Sequence, residues 1–316
     1  MSVFMASCVT PRHPVAMNPE IAALQLRLEH EAYVTDRAVA TSLFLAGALE
    51  RPLLVEGPPG VGKTEIAKVL ARTRAADLIR LQCYEGLDAS TALYEWNYPK
   101  QLLRIKLDEQ RASSAQASVE QREAVIFSEP FLLKRPLLQA ITHAGTPPVL
   151  LIDEVDRSDE EFEAFLLELL SDFQVTIPEI GTIRATARPS VILTSNRTRE
   201  LSEALRRRCL YLWIDYPTLE KELRIVRLKV PGAGNELAAQ VVAFMQSLRK
   251  LPLSRLPGVA ETLDWATALV ALGADTLDET LVRETLGCFL KDRGDAEHLA
   301  RELDAGGFAA MVSVLV

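Results

Sequence analysis

Cysteine is scarce in this chain of 316 residues. The four present, Cys8, Cys83, Cys209 and Cys288, lie far apart, with no CxxC pair and no histidine at metal-ligand spacing. That argues against a disulfide framework and a zinc site, and for a reducing, cytoplasmic compartment. Long apolar runs are missing as well: none approaches the ~18 residues that a membrane-spanning helix needs. Positive charge is in deficit, with 35 basic against 43 acidic residues and a net charge of −8. A global electrostatic grip on nucleic acid or anionic lipid is therefore disfavoured, although a local basic patch stays open. No internal repeat is visible.

What is present is ordinary for a soluble globular protein: 48% hydrophobic and 25% charged residues, which excludes disorder as the dominant state. The length exceeds one typical domain and suggests two. Residues 1–19 (MSVFMASCVTPRHPVAMNP) place their first positive charge, Arg12, after a short apolar stretch broken by Ser and Cys. A secretory signal has the reverse order, so a flexible tail is expected, with Met17 as an alternative start.

From 18 to 48 the apolar spacing is helical. Short apolar runs at 52–56 (PLLVE), 78–81, 149–152 (VLLI), 191–194 and 210–214 read as buried strands, and helical patterns at 63–72 and 158–171 separate them. Strands alternating with helices predict an α/β fold with a parallel sheet covered on both faces. Two stretches interrupt that rhythm. The segment 99–129 reads as a β-α-β insertion, with strand-like pieces at 102–107 and 125–127, and 174–188 (QVTIPEIGTIRATAR) reads as a β-hairpin around Gly181. Beyond Pro217 only helical patterns occur, at 220–229, 236–248, 263–272 and 279–290. The expected organisation is thus a tail (1–19), an α/β nucleotide-binding domain (20–217) and a small all-helical lid domain (218–316).

Gly57, Pro58, Pro59, Gly60, Val61, Gly62, Lys63 and Thr64 fit the phosphate-loop pattern GxxxxGK[ST] completely. Glycines let the backbone curl so that successive N–H groups point at a phosphate, and the following helix presents its N-terminus to the same anion. Lys63 can reach the β- and γ-phosphates of ATP, and the Thr64 hydroxyl suits Mg2+. The run 149–154 (VLLIDE) is a buried strand ending in two carboxylates. Asp153 can hold Mg2+ through its water shell, and Glu154 can act as general base toward an attacking water. A base beside magnesium suits hydrolysis, whereas small-molecule kinases must exclude water. The strand 191–194 runs on to Asn196, whose amide could hydrogen-bond the water and the γ-phosphate. Arg206, Arg207 and Arg208 precede the fifth strand. A guanidinium placed at a neighbouring subunit's γ-phosphate would stabilise the transferring charge, with Arg208 favoured over Arg207.

In this order GPPGVGKT, VLLIDEVD, TSN and LRRRC resemble the AAA+ ATPases. The insertion and the hairpin before TSN resemble the MoxR branch. AYVTDR (32–37), FLAGALERPLLVEGPPGVGKTEIAK (44–68), RLQCYEGLD (80–88), ALYEWNYPKQLL (92–103) and EIGTIRATARPSVILTSNRTRELSEALRRRCLYLWIDYP (179–217) resemble the CoxD type within it. That type is associated with carbon monoxide dehydrogenase and related molybdenum hydroxylases. The resemblance spans about residues 20–275 and implies Walker A at Gly57–Thr64, Walker B at Asp153 and Glu154, sensor 1 at Asn196 and an arginine finger at Arg208, with Arg207 second. It also places Tyr33 and Val34 where the adenine is framed. It implies a cytoplasmic ring, usually a hexamer, that spends ATP on remodelling a client protein, here in maturation of a molybdenum-containing metal centre. A partner with a von Willebrand factor A domain is implied too.

One departure stands out. Where the MoxR pattern has a sensor 2 arginine, this chain has Gly258-Val259-Ala260-Glu261-Thr262-Leu263, which leaves Arg255 as a substitute. Tyr94, Trp96 and Tyr98 are either pore-facing grips on a client or packing for the insertion. The competing readings are a nucleotide-gated scaffold, kept open by the missing arginine, and a DNA-associated motor, disfavoured by the net negative charge and by no recognisable DNA-binding appendage after residue 217.

Overall fold

The computed structural model describes residues 18–111 and 119–313. The tail expected over 1–19 lies outside them up to residue 17, and Asn18 already caps the first helix by accepting from the Glu20 amide. Two helices open the described chain, α1 (Pro19–His30) and α2 (Arg37–Ala48). Strand β1 (Leu53–Glu56) runs into α3 (Lys63–Thr73), and β2 (Leu78–Gln82) follows. Next come α4 (Ala89–Leu93), β3 (Tyr94–Trp96), α5 (Tyr98–Arg111), α6 (Val119–Ile126), β4 (Leu132–Lys134) and α7 (Pro136–Ile141). Strand β5 (Val149–Asp153) leads to α8 (Glu160–Asp172), the strands β6 (Gln174–Ile177) and β7 (Gly181–Arg184), then β8 (Ser190–Ser195), α9 (Glu203–Arg208) and β9 (Leu210–Trp213). Helices alone follow among the described residues: α10 (Leu219–Lys229), α11 (Asn235–Leu248), α12 (Val259–Ala271), α13 (Glu279–Phe289), α14 (Arg293–Asp304) and α15 (Phe308–Val312).

The central sheet has the order β2-β5-β8-β1-β9, all parallel. Strands β1 and β5 are buried at every position, as expected of parallel strands covered on both faces. Alternation sorts their side chains. Leu54, Leu150, Ile152 and Leu193 pack with Leu138, Phe162 and Leu166 on one face, while Leu53, Val55, Leu151 and Ile192 pack with Ile66, Leu70 and Leu43 on the other. The register Val55↔Thr194 and Gln82↔Asp153 brings the carboxyl ends of the strands to one edge. Open parallel sheets bind their ligands at that edge. The helices after residue 218 enclose their own cluster, centred on Trp265, Phe244 and Phe289, whose ring centroids lie 4.4–5.9 Å apart. A buried ion pair ties this unit together: Arg249 donates to Glu222 at 2.6 and 2.7 Å, and Thr262 and Gln246 satisfy the same carboxylate.

The insertion needs correction. Residues 102–107 are not a strand but the exposed middle of α5, and 125–126 end α6. Leu103, Ile105 and Leu107 alternate with Arg104 and Lys106, imitating a two-residue period, while Leu, Lys, Arg, Glu and Gln all favour helix and no strand among the described residues pairs with them. The two strands lie just outside the expected segment. There β3 and β4 pair antiparallel, with Tyr94 opposite Lys134, and clamp the helices between them. Trp96 is buried and meets Phe127 edge-on at 5.2 Å, so packing accounts for it, whereas Tyr98 is exposed. Helices α14 and α15 were not expected from the sequence.

Candidate functional site

The loop after β1 is shaped by its glycines. A Cβ on Gly57 would sit 2.0 Å from the Ile214 carbonyl oxygen, so β1 and the segment after β9 can approach only with glycine there. Gly62, at φ +90°, takes a left-handed turn that aims α3 at the loop, and nothing lies within 4 Å of where its side chain would be. The loop thus keeps an open cradle at the N-terminus of an 11-residue helix, where an anion is favoured.

Lys63 is 6% exposed. Its Nζ donates to the carbonyl oxygens of Gly57 at 2.8 Å and Pro58 at 2.7 Å. Burial pulls its pKa down to about 8, against the opposing pull of Asp156, Asp153 and Glu154. A bound polyphosphate favours the ammonium form, so the complex holds more protons than the free protein above about pH 8. Nucleotide affinity therefore falls as pH rises through 8, and binding at pH 8.5 takes up protons. Calorimetry in two buffers of different ionisation heat reads that uptake directly.

The Asp153 carboxylate, 2% exposed, accepts from the hydroxyls of Thr64 at 3.0 Å and Thr194 at 2.5 Å on Oδ1. Its Oδ2 accepts from Arg80 Nε at 3.1 Å and Nη2 at 2.6 Å. Glu154 adopts a left-handed backbone, φ +54°, rare for a residue with a side chain and typical of functional positions. Its amide donates to Thr194 Oγ1 at 2.9 Å. Its carboxylate accepts from Gln82 Nε2 at 3.1 Å and Asn196 Nδ2 at 3.5 Å, and pairs with Arg157 Nε at 3.0 Å. Asp156, buried, accepts from the amides of Asn196 and Thr198 and from the Thr198 hydroxyl, and so fixes the loop that carries Asn196. Arg80, Gln82, Thr194 and Asp156 were not singled out from the sequence. Asp156 was visible in the run DEVD; the others depend on strand pairing.

Of these groups, Lys63, Thr64, Asp153, Glu154, Thr194 and Asn196 line a cavity of about 700 Å3, within the range that holds a nucleotide-sized ligand. Tyr33 and Val34 form part of its wall, as do Gly60–Thr64, Asp153, Glu154 and Asn196. The helical unit closes it from the other side, because the first amides of α12, on Val259 and Ala260, donate to the Gly60 carbonyl at 2.9 and 3.2 Å. No arginine lines it among the described residues. Arg255 is absent from the wall, and its amide donates to Asp295 instead. Lys221 and Lys229 of α10 bring the positive charge, the former paired with Asp36 at 2.5 Å.

The three arginines of α9 diverge. Arg206 turns inward to the buried Glu56 at 3.5 Å, over the Tyr211 ring. Arg207 pairs with Glu203, and Arg208 donates to the Leu167 carbonyl at 3.2 Å; both are exposed. None lines the cavity. Arg51 fixes the end of this helix by donating to the carbonyls of Arg207 at 2.6 Å and Arg208 at 3.1 Å.

The hydroxyl of Thr64 and the carboxylate of Asp153 form a hard oxygen donor set that suits Mg2+. The open turn at Gly62 and the buried ammonium of Lys63 suit a phosphate chain.

Residues 53–213 match the family model for the "ATPase family associated with various cellular activities (AAA)". The denitrification regulatory protein NirQ of Pseudomonas aeruginosa is 25% identical over 255 residues, covering 78% of this chain and 83% of that protein. The gas vesicle ATPase GvpN2 of Halobacterium salinarum is 27% identical over 264 residues, covering 80% and 72%. Among solved structures, the RuvB Holliday junction branch migration motor of Thermotoga maritima is similar at 19% identity and a TM-score of 0.43, over 86% of this chain and 71% of that one. Among the described residues no helix is long and apolar enough to cross a membrane.

Proposed function

The chain belongs to the AAA family of ATPases, which bind ATP with Mg2+, and from that premise we propose that it is a MoxR-type remodelling ATPase whose active site is completed by a neighbouring copy. Within one protomer the phosphate loop binds the nucleotide, with Lys63 on the phosphates and Tyr33 and Val34 against the base. Thr64, and Asp153 through a water, would hold the magnesium, which would supply charge neutralisation at the phosphate oxygens. Glu154 takes the proton of the attacking water, and Asn196 orients that water. The observation that carries the reading is the placement of the arginines. Glu154 and Asn196 converge on the cavity, whereas Arg207 and Arg208 stand outside it, exposed, on a helix end anchored by Arg51 and Arg206. Such an arrangement serves a site on the next subunit of a ring, the usual assembly of this family.

The client is a metalloenzyme of the molybdenum hydroxylase type, carbon monoxide dehydrogenase being the nearest case, with a von Willebrand factor A domain protein as partner. This rests on the sequence stretches resembling the CoxD type. The names of the two relatives concern denitrification and gas vesicles and add nothing about molybdenum. A second reading, a scaffold gated by nucleotide with incidental turnover, draws on the absence of an arginine from the helical wall of the cavity.

The two readings separate on ATPase rate per protomer measured against protein concentration. The rate is expected to rise as rings assemble, and Arg208→Ala is expected to stay about 1,000-fold lower throughout. A rate that is flat and indifferent to Arg208 favours the scaffold.

A further inference from the structure

Asp153 has no free lone pair. A carboxylate offers about four acceptor positions, and here four N–H and O–H groups take them: Thr64 and Thr194 on Oδ1, and two from Arg80 on Oδ2. The Thr64 contact is compatible with metal binding, since its hydroxyl can donate to Oδ1 while its oxygen lone pairs face the ion. The Arg80 contact is not, because a metal-bound water would have to donate to the oxygen that the guanidinium already fills.

We propose that Arg80 is a resident cation on the metal-holding carboxylate, and that magnesium loads only when Arg80 gives up Oδ2. This rests on the nucleotide-site reading above. Arg80 sits on β2, the edge strand, two residues before Gln82, which is in register with Asp153. Residues two apart in a strand share a face, so Arg80 and Gln82 both reach toward the end of β5. A carboxylate buried this deeply needs a counter-charge in the absence of metal, and Arg80 supplies it. Its side chain is 49% exposed, so solvent can receive it when it swings away.

Release has a second consequence. Arg80 Nη2 also donates to Gln82 Oε1 at 2.5 Å, and Gln82 Nε2 donates to Glu154 at 3.1 Å. One pair of strand residues thus holds both carboxylates. Departure of Arg80 from Asp153 removes the partner that orients the Gln82 amide, and so loosens the hold on the general base. Metal loading thus loosens one of the holds on Glu154, while its contacts with Arg157 and Asn196 remain.

The test is fluorescence titration of N-methylanthraniloyl-ADP binding to the full chain, first in EDTA and then against Mg2+, for wild type and Arg80→Met. The expected result is equal affinity in EDTA and a Mg2+ midpoint about three- to fivefold lower in the variant, the range of a half-exposed ion pair. A midpoint that is unchanged or higher overturns the proposal, because Arg80 would then be packing or an aid to the metal. If Arg80→Met loses its binding in EDTA, Arg80→Lys replaces it. A single ammonium cannot present two N–H groups in the same fork, so its midpoint also falls, by less, and an unchanged one again overturns the proposal. If wild type binds the nucleotide neither with nor without Mg2+, the nucleotide-site reading fails and this inference with it.

Discussion

Lys63→Met is expected to lower nucleotide affinity at least about 100-fold, the scale of a buried charge-assisted contact. The lysine is almost wholly buried, and its ammonium donates to two carbonyls of its own loop. Burial in this position costs free energy and pulls the pKa down to about 8, and what offsets that cost is a phosphate placed in the open cradle at Gly62. Methionine keeps the length and removes the charge. Fluorescent ATP titration reads the effect, and wild-type affinity in the variant removes the phosphate-loop assignment.

Glu154→Gln is expected to bind ATP normally and to turn it over about 100- to 10,000-fold more slowly, the range that general-base catalysis contributes. The glutamine retains the size of the side chain and its acceptor oxygen toward Gln82 or Asn196, so the wall of the cavity is preserved. It cannot take a proton. The left-handed backbone at this position belongs to residue 154 whatever its side chain, because the Thr194 hydroxyl and the turn into Val155–Arg157 fix it. A fall in kcat with unchanged affinity therefore isolates the proton transfer. Full turnover would remove Glu154 as the base.

Local features of the site were legible in the sequence. Eight consecutive residues specify the phosphate loop, and three unbroken apolar runs specify β1, β5 and β8, because the required periodicity and the required chemistry lie within a few residues of each other. Features created by pairing were not. Arg80 and Gln82 meet Asp153 and Glu154 from more than 70 positions away, and only the register of β2 against β5 brings them there. The three arginines of α9 look equivalent in the sequence. Successive helical residues point about 100° apart, so Arg206 faces the buried Glu56 while Arg207 and Arg208 face outward. The insertion was misread because alternating Leu, Arg, Ile, Lys and Leu satisfies a strand period over five residues, and only the longer window favours a helix. In the same way α14 (RGDAEHLARELD) carries few apolar residues, and its two buried leucines, Leu299 and Leu303, fall one turn apart.

The measurement that bears most directly on a site shared between subunits is ATP hydrolysis by an equimolar mixture of the Glu154→Gln and Arg208→Ala proteins after subunit exchange. Each alone is expected to be nearly inactive. In a ring with head-to-tail interfaces, an Arg208→Ala protomer retains its base and can receive Arg208 from a Glu154→Gln neighbour. The mixture is then expected to recover about a quarter of the wild-type rate per protomer. A mixture no faster than the average of its two components would contradict the account, since the base and the arginine would then not be joined across an interface.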